Sequence, residues 1–376
     1  MKKTIIKLLT ASLIALSINS CETKAELNPI QQQLEVAIDS LLQKPEFEAI
    51  SLGMIHQGQS YTLHRGKLLN GHSPNKETLY EIASLSKTFT GTLLAKALVE
   101  NKLSLDADIR TYMEGDYPNL AYEGQPILLR HLATHQSGLP LLLPDREDIF
   151  IDNPDWDKVA FEVNRVQSGF SRDQFFDSLA QVQLDTIPGH KLRYSNAGTN
   201  LVAYILEEVY EQSFVSLLQA HIFDPLAMRH SSIELSKVDP AKLAQGVNAN
   251  KTPMPARVEK AMNAEGGIIS NVDDMLRYMA FHLDESNAWV SGAHAGLWGG
   301  QYGDYDAGLF WQIFRDGDKP DRFFQNGGAF GTSSYMILLP ESKTGIFIIS
   351  NVSGANIHQY LSETIDKILK SIEEMN

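Results

Sequence analysis

The chain has 376 residues, 43% of them hydrophobic and 21% charged, enough apolar material for two domains or one large composite domain around a buried core. A formal net charge of −14 argues against a nucleic-acid partner, which needs clustered Lys and Arg, and reads as a solvated acidic surface. One cysteine, Cys21, excludes an internal disulfide, and no heptad run or internal repeat is visible.

The N-terminus has the pattern of an export signal. Met1-Lys2-Lys3 opens a basic segment that includes Lys7, and Leu8 to Ile18 is apolar but too short to span a bilayer as a mature helix. It runs into Ile18-Asn19-Ser20-Cys21, where a small residue before a lone Cys is similar to a bacterial lipoprotein cleavage site. Cleavage before Cys21 would leave its sulfur carrying a lipid at the new N-terminus. The expected protein is therefore exported and held at a membrane by that anchor.

A polar linker, residues 22–28, follows. Pro29–Leu42 places Ile30, Leu34, Ile38, Leu41 and Leu42 at helical spacing. Ala49–Ile55 and Tyr61–Arg65 read as two strands joined through His56-Gln57-Gly58-Gln59. From Ser84 the pattern turns helical, with Phe89, Leu93, Leu94, Ala97 and Leu98 on one side. Tyr112 to Leu283 is mostly helical pattern broken by loops. Ser334–Leu339 and Ile346–Asn351 read as strands, and an amphipathic helix closes the chain from Ile357 to about Ile372. This order predicts an α/β (α+β) fold whose sheet part uses both chain ends, about 29–111 and 300–376, with a mainly helical part, about 112–299, inserted between. A site between the two parts would draw residues from each.

Three short motifs carry possible chemistry, and each has a decoy. Ser84-Leu85-Ser86-Lys87 puts a hydroxyl and an amine on one face at a helix start, where the amine can take or relay the serine proton. Average composition gives about one or two Ser-x-x-Lys matches by chance in a chain this long, and Ser73-Pro74-Asn75-Lys76 is a second. Ser73 sits in a polar, Pro-containing loop, whereas Ser84 opens an apolar helix after the strand-like Leu79-Tyr80-Glu81-Ile82. Ser84 is preferred. Tyr194-Ser195-Asn196 supplies a phenol able to share a lysine's proton and an amide able to bind substrate. Asn196 also suits a plain helix cap. The decoy Tyr117-Pro118-Asn119 lies in a Gly/Asp-rich turn. For a strand beside the serine, Lys343-Thr344-Gly345 is set aside, because Pro340 to Gly345 is a polar turn between two strands that leaves the lysine in solvent. Gln325-Asn326-Gly327-Gly328 is preferred, since small residues let a strand approach a substrate closely.

In this order and context the motifs resemble the serine β-lactamase and penicillin-binding superfamily, closest to its class C β-lactamase-like branch, which includes D,D-peptidases and esterases. The resemblance runs from about Ala49 to Asn351. It takes in Leu129-Arg130-His131-Leu132-Ala133-Thr134-His135-Gln136-Ser137-Gly138-Leu139-Pro140, Pro188-Gly189, Asp224-Pro225-Leu226-Ala227-Met228, Gly266-Gly267-Ile268-Ile269-Ser270 and Gly308-Leu309-Phe310-Trp311. It implies an antiparallel sheet flanked by the N- and C-terminal helices. It also implies an acyl-enzyme mechanism without a cofactor on a small-molecule or peptide substrate: a peptidoglycan peptide, a β-lactam or an ester. Ser84 would attack, Lys87 and Tyr194 would manage its proton in either assignment, and Asn196 would contact the substrate. The N–H groups of Ser84 and Gly328 would hold the oxyanion. A monomer is expected.

One position departs from the family pattern. The third motif usually begins with Lys or His, and here Gln325 stands there. A neutral amide binds a carboxylate less strongly than a cation does, so weak β-lactamase activity is expected. His131 and His135 are spaced like a metal pair but lack the zincin glutamate, and read as packing or loop-tying residues. No Gly-x-Ser-x-Gly, P-loop or Rossmann fingerprint occurs. Trp156, Trp289 and Trp298 read as core or rim, and Trp311 as a cleft-wall candidate. A penicillin-binding sensor that is acylated without turnover, and a silent scaffold, are the rival readings.

Overall fold

A computed structural model of the protein describes residues 28–151, 156–317 and 319–375. The expected leader and lipid attachment point, Cys21, lie outside the described residues. Among the described residues no helix is long and apolar enough to cross a membrane.

The chain starts with the helix Pro29–Leu42, entered through Pro29 at its first turn and capped by the Asn28 side chain, which accepts from Ile30 N–H at 2.8 Å. The hairpin Ala49–His56 and Gln59–Gly66 follows, with Gly58 supplying a positive φ in its turn. This hairpin forms one edge of a seven-stranded sheet in which every pairing is antiparallel. Beyond Ala49–His56 come Thr344–Ser350, Ser333–Leu339, Arg322–Gly328, Gln312–Phe314 and Tyr305–Ala307. The register Ile50↔Ser350 to His56↔Thr344 joins the two ends of the chain.

Both faces of that sheet are covered, so the strand Ala49–His56 is buried at every position and shows no polar alternation. On one face Ile50, Leu52 and Met54 pack with Leu34 and Ile38 of the first helix and Leu361, Ile365 and Ile368 of the closing helix Ile357–Glu373. Each such side chain contributes about 1.5–3 kcal/mol when fully buried. On the other face Gly53 lets the helix Val272–His282 come close, since a Cβ there would lie 2.7 Å from Val272.

The helix Ser86–Val99 differs from its expected one-sided pattern. It is buried on every side from Ser86 to Ala97, as a central helix must be. Its threonines fit because each hydroxyl has a backbone acceptor: Thr88 on Leu85, Thr92 on Thr88 and Thr90 on Ala264. Gly91 lets Leu309 approach, for a Cβ would stand 2.0 Å from the Leu309 carbonyl oxygen. Between this helix and the strand Tyr305–Ala307 the longer elements are helices, among them Trp156–Gln167, Asn196–Tyr210 and Val272–His282. The large apolar core gathers Phe89, Leu93, Leu201, Ile205, Met275 and Trp311.

Candidate active site

Ser84 sits in a tight 3-10 turn, Ala83–Leu85, that feeds the buried helix. Ala83 takes a positive φ of 52°, a conformation that a non-glycine residue keeps only where its surroundings hold it. Hydrogen bonds from the sheet strand Ser333–Leu339, from Thr332 just before it and from Ile268 supply that hold. Ser334 Oγ donates to the Ile82 carbonyl at 3.1 Å, Thr332 Oγ1 donates to that of Glu81 at 2.8 Å, and Ile268 N–H donates to Ser86 Oγ at 3.0 Å. Gly327 of the strand Arg322–Gly328 presses against the same turn: a Cβ there would lie 2.3 Å from the Ile82 oxygen and 3.1 Å from Ser84 N.

Ser84 keeps part of its surface in solvent, and two groups converge on its oxygen. Lys87 Nζ donates to Ser84 Oγ at 3.1 Å, and Tyr194 Oη donates to it at 2.8 Å. Lys87 is fully buried, lies 4.8 Å from the centre of the Tyr194 ring, and also donates to the Glu265 carbonyl at 2.5 Å. Burial holds the Lys87 amine well below its usual pKa, assisted by Arg257 and Lys260 and opposed by Glu265. Although Tyr194 as a whole is 41% exposed, desolvation around its hydroxyl pushes the phenol up to about 12, against the hydrogen bond to Ser84. The amine is thus the group disposed to be neutral, and the phenol the group that keeps its proton.

Asn196 is the first residue of the helix Asn196–Tyr210, and the cap is Ser195, whose Oγ accepts from Gly198 N–H at 2.9 Å. The helix-cap reading of Asn196 is therefore corrected. Its own Oδ1 is buried without a protein partner. Gln325 is buried, and its amide is largely engaged. Oε1 accepts from Gln312 Nε2 and from Asn326 N–H, both at 3.0 Å, while Nε2 donates to the Phe310 carbonyl at 2.9 Å. One amide hydrogen is left over. Gly328 ends the strand beside His358, which hydrogen-bonds the Gly327 carbonyl at 3.0 Å. Ser84, Tyr194, Gln325, Asn326 and Gly328 border a cleft of about 290 Å³, with Leu192, Trp298, Phe310 and Trp311 as its apolar wall.

The decoys lie elsewhere. Ser73 and Lys76 are exposed in a loop, and the Asn119 amide ties to the Leu179 and Val182 carbonyls. Lys343 is exposed in the turn at φ 49°, although Thr344 and Gly345 already belong to the following strand. His131 and His135 share no helix face, because the helix Leu129–Ala133 ends before His135. Each ring accepts a backbone N–H, from Leu128 and from Ser195 respectively.

A buried ion cluster beside Lys87 is invisible to motif reading. Glu265 pairs with Lys260 at 2.7 Å and Arg257 at 3.6 Å. Burial alone would raise its carboxyl, but Lys260 and Arg257 hold it below its usual pKa. The one sequence signal is Glu265-Gly266-Gly267, an acid followed by two glycines. A Cβ on Gly266 would lie 2.2 Å from Arg257, and one on Gly267 would lie 2.4 Å from Asn263.

This is the α+β fold of a β-lactamase-family serine hydrolase. The family model for Beta-lactamase matches residues 34–369, and the chain belongs to that family. It is 24% identical to a beta-lactamase of Escherichia coli (strain K12), over 90% of this chain and 93% of that one. It is 23% identical to a beta-lactamase of Providencia stuartii, over 85% and 86%. With Protein flp of Staphylococcus aureus (strain MW2) it shares 23% identity over 87% of this chain and 64% of the other. A class C beta lactamase crystal structure superposes with a TM-score of 0.74 at 22% identity, covering 92% of this chain and 99% of that chain.

Proposed function

We propose that the protein hydrolyses uncharged ester or amide bonds through an acyl-enzyme on Ser84. The carrying observation is the convergence of Lys87 Nζ and Tyr194 Oη on Ser84 Oγ at 3.1 and 2.8 Å. Ser84 Oγ attacks the substrate carbonyl while the neutral Lys87 amine takes its proton. The N–H groups of Ser84 and Gly328 receive the developing oxyanion. Tyr194 passes its proton to the leaving alkoxide or amine as the carbon–leaving-group bond breaks, and regains one from Lys87. A water then gives up a proton to the same pair, attacks the ester, and restores the serine as the acid departs. Asn196 does not border the cleft, but its buried Oδ1 lacks a protein partner and supports a role beside the substrate once that wall shifts to meet it.

The lining of the cleft bears on substrate charge. No Lys or Arg is among the described residues that border the cleft, and Gln325 supplies no charge. A β-lactam or D-Ala carboxylate therefore meets no cation there, while the apolar wall suits a hydrocarbon acyl or alcohol group. The test compares turnover of short p-nitrophenyl esters with that of nitrocefin. Efficient ester turnover with weak nitrocefin hydrolysis is expected. Fast nitrocefin turnover reverses the substrate assignment, and stoichiometric labelling without turnover makes the protein a sensor.

We also propose export and lipid anchoring at Cys21, supported by Lys2, Lys3, the apolar Leu8 to Ile18 and the lone thiol. Membrane fractionation of Cys21→Ser tests it. The variant should leave the membrane fraction, and unchanged partition contradicts the anchor.

A further inference from the structure

We propose that His135 is the positioning residue for Tyr194, gripping the tyrosine's main chain on both sides and its ring on one face. This rests on the proposed role of Tyr194 in moving the Ser84 proton. After the helix Leu129–Ala133 the chain turns through Thr134 into His135, which takes a left-handed φ of 57°. A non-glycine residue holds that conformation only where contacts compensate for it. Two do. Arg193 N–H donates to the His135 carbonyl at 2.7 Å, and Ser195 N–H donates to His135 Nδ1 at 3.3 Å. The two donors flank Tyr194 on either side.

The ring completes the grip. Its centre lies 4.4 Å from that of the Tyr194 ring, and Phe310 backs it at 5.6 Å. Phe310 is fixed in turn by its own N–H on the Ala133 carbonyl at 3.0 Å. Nδ1 accepts only when the imidazole is neutral with its proton on Nε2. Burial holds the ring's pKa down to about 3, which preserves the accepting form. Nε2 itself is buried without a protein partner, so Nδ1 and the ring contacts set the orientation. The grip matters because Tyr194 is 41% exposed, and an unsupported ring would be free to leave Ser84.

The experiment is a double-mutant cycle in the full chain. His135→Phe and His135→Asn are made alone and on Tyr194→Phe, and followed by kcat and KM on p-nitrophenyl acetate and by the rate of fluorophosphonate labelling. His135→Phe should lower kcat about ten- to hundredfold, the scale of a small misplacement of a reacting group, with little change in KM. His135→Asn, whose Oδ1 can take the Ser195 N–H and which tolerates a positive φ, should recover part of that loss. Neither should cost anything further on Tyr194→Phe. Additive losses on that background, equal losses for Phe and Asn, or a raised KM at unchanged kcat overturn the proposal. Full activity of Tyr194→Phe alone would instead overturn the role of Tyr194. Should the strained Phe variant fail to fold, the Asn variant and its double mutant carry the same comparison.

Discussion

The two walls of the cleft use their polar groups differently. On the wall built from the serine turn and the two helices, a hydroxyl, an amine and a phenol meet within 3.1 Å. Behind that wall, and not bordering the cleft, lie the charges of Glu265, Lys260 and Arg257, and Asn196 Oδ1 and Glu265 Oε2 are left there without protein partners. On the sheet wall, polar groups bind one another. Gln325 satisfies Gln312, Asn326 and Phe310, and so braces the apolar side of the cleft. The contrast points to a division of labour. The proposed proton-moving groups stand on one wall, while the sheet wall carries Gly328 for the proposed oxyanion contact and much of the apolar lining proposed to select the substrate.

The largest effect that tests this contrast is on the reactive wall. Ser84→Ala should lower kcat/KM on p-nitrophenyl esters by about 10⁴-fold or more, since a nucleophile has no substitute. Tyr194→Phe should cost about 10²–10³-fold in kcat, the scale of a lost proton-transfer group, while leaving Ser84 open to a fluorophosphonate. Activity near wild type in either variant would break the comparison.

Gly327→Ala probes the junction between the walls. Its Cβ would meet the Ile82 oxygen at 2.3 Å, and backbone cannot yield as a side chain tip does. A loss of about 1–3 kcal/mol in stability and about tenfold in kcat is expected from denaturant melts and ester assays. An unaffected protein would mean that strand and turn are not in contact.

Lys87→Met tests the buried amine by its pH signature. Between its lowered pKa and the usual 10.5, native Lys87 is neutral while the unfolded chain holds the proton. The unfolded state then binds more protons, so wild-type stability rises with pH through that window and is complete above it. Lys87→Met should lack this rise, leaving its advantage in Tm greatest at the low end of the window and shrinking toward 10.5. Parallel Tm–pH curves would contradict it.

The smallest change in ester turnover is expected on the recognition wall. Gln325→Lys should leave p-nitrophenyl acetate turnover within about tenfold, while raising the nitrocefin rate through a charge-assisted contact. A collapse of ester turnover would show that the brace on Phe310 cannot be separated from the chemistry.

Much of the scaffold is legible from spacing alone. The spacing of Ile30, Leu34, Ile38 and Leu41 announces the first helix, two strand-like runs around His56-Gln57-Gly58-Gln59 announce the hairpin, and the amphipathic run from Ile357 announces the closing helix. The central helix is only half legible, because a residue such as Thr92 looks like solvent-facing polarity until its hydroxyl finds the Thr88 carbonyl. Tyr305–Ala307 and Gln312–Phe314, three residues each, are too short for alternation to register. In the site, the proximity of Lys87 to Ser84 follows from an i, i+3 spacing, whereas the arrival of Tyr194 rests on the order of motifs and their resemblance to a family. Glu265, Lys260 and the grip of His135 are not legible. No local pattern marks a charge as buried, or says which main-chain donors a histidine will meet across sixty residues.

Intact mass after reaction with a fluorophosphonate, on wild type, Ser84→Ala and Ser73→Ala, tests the central proposal most directly. Wild type and Ser73→Ala should each gain one adduct, mapped to the peptide holding residue 84, and Ser84→Ala should gain none. An adduct that survives in Ser84→Ala, or that maps to another serine, would contradict it.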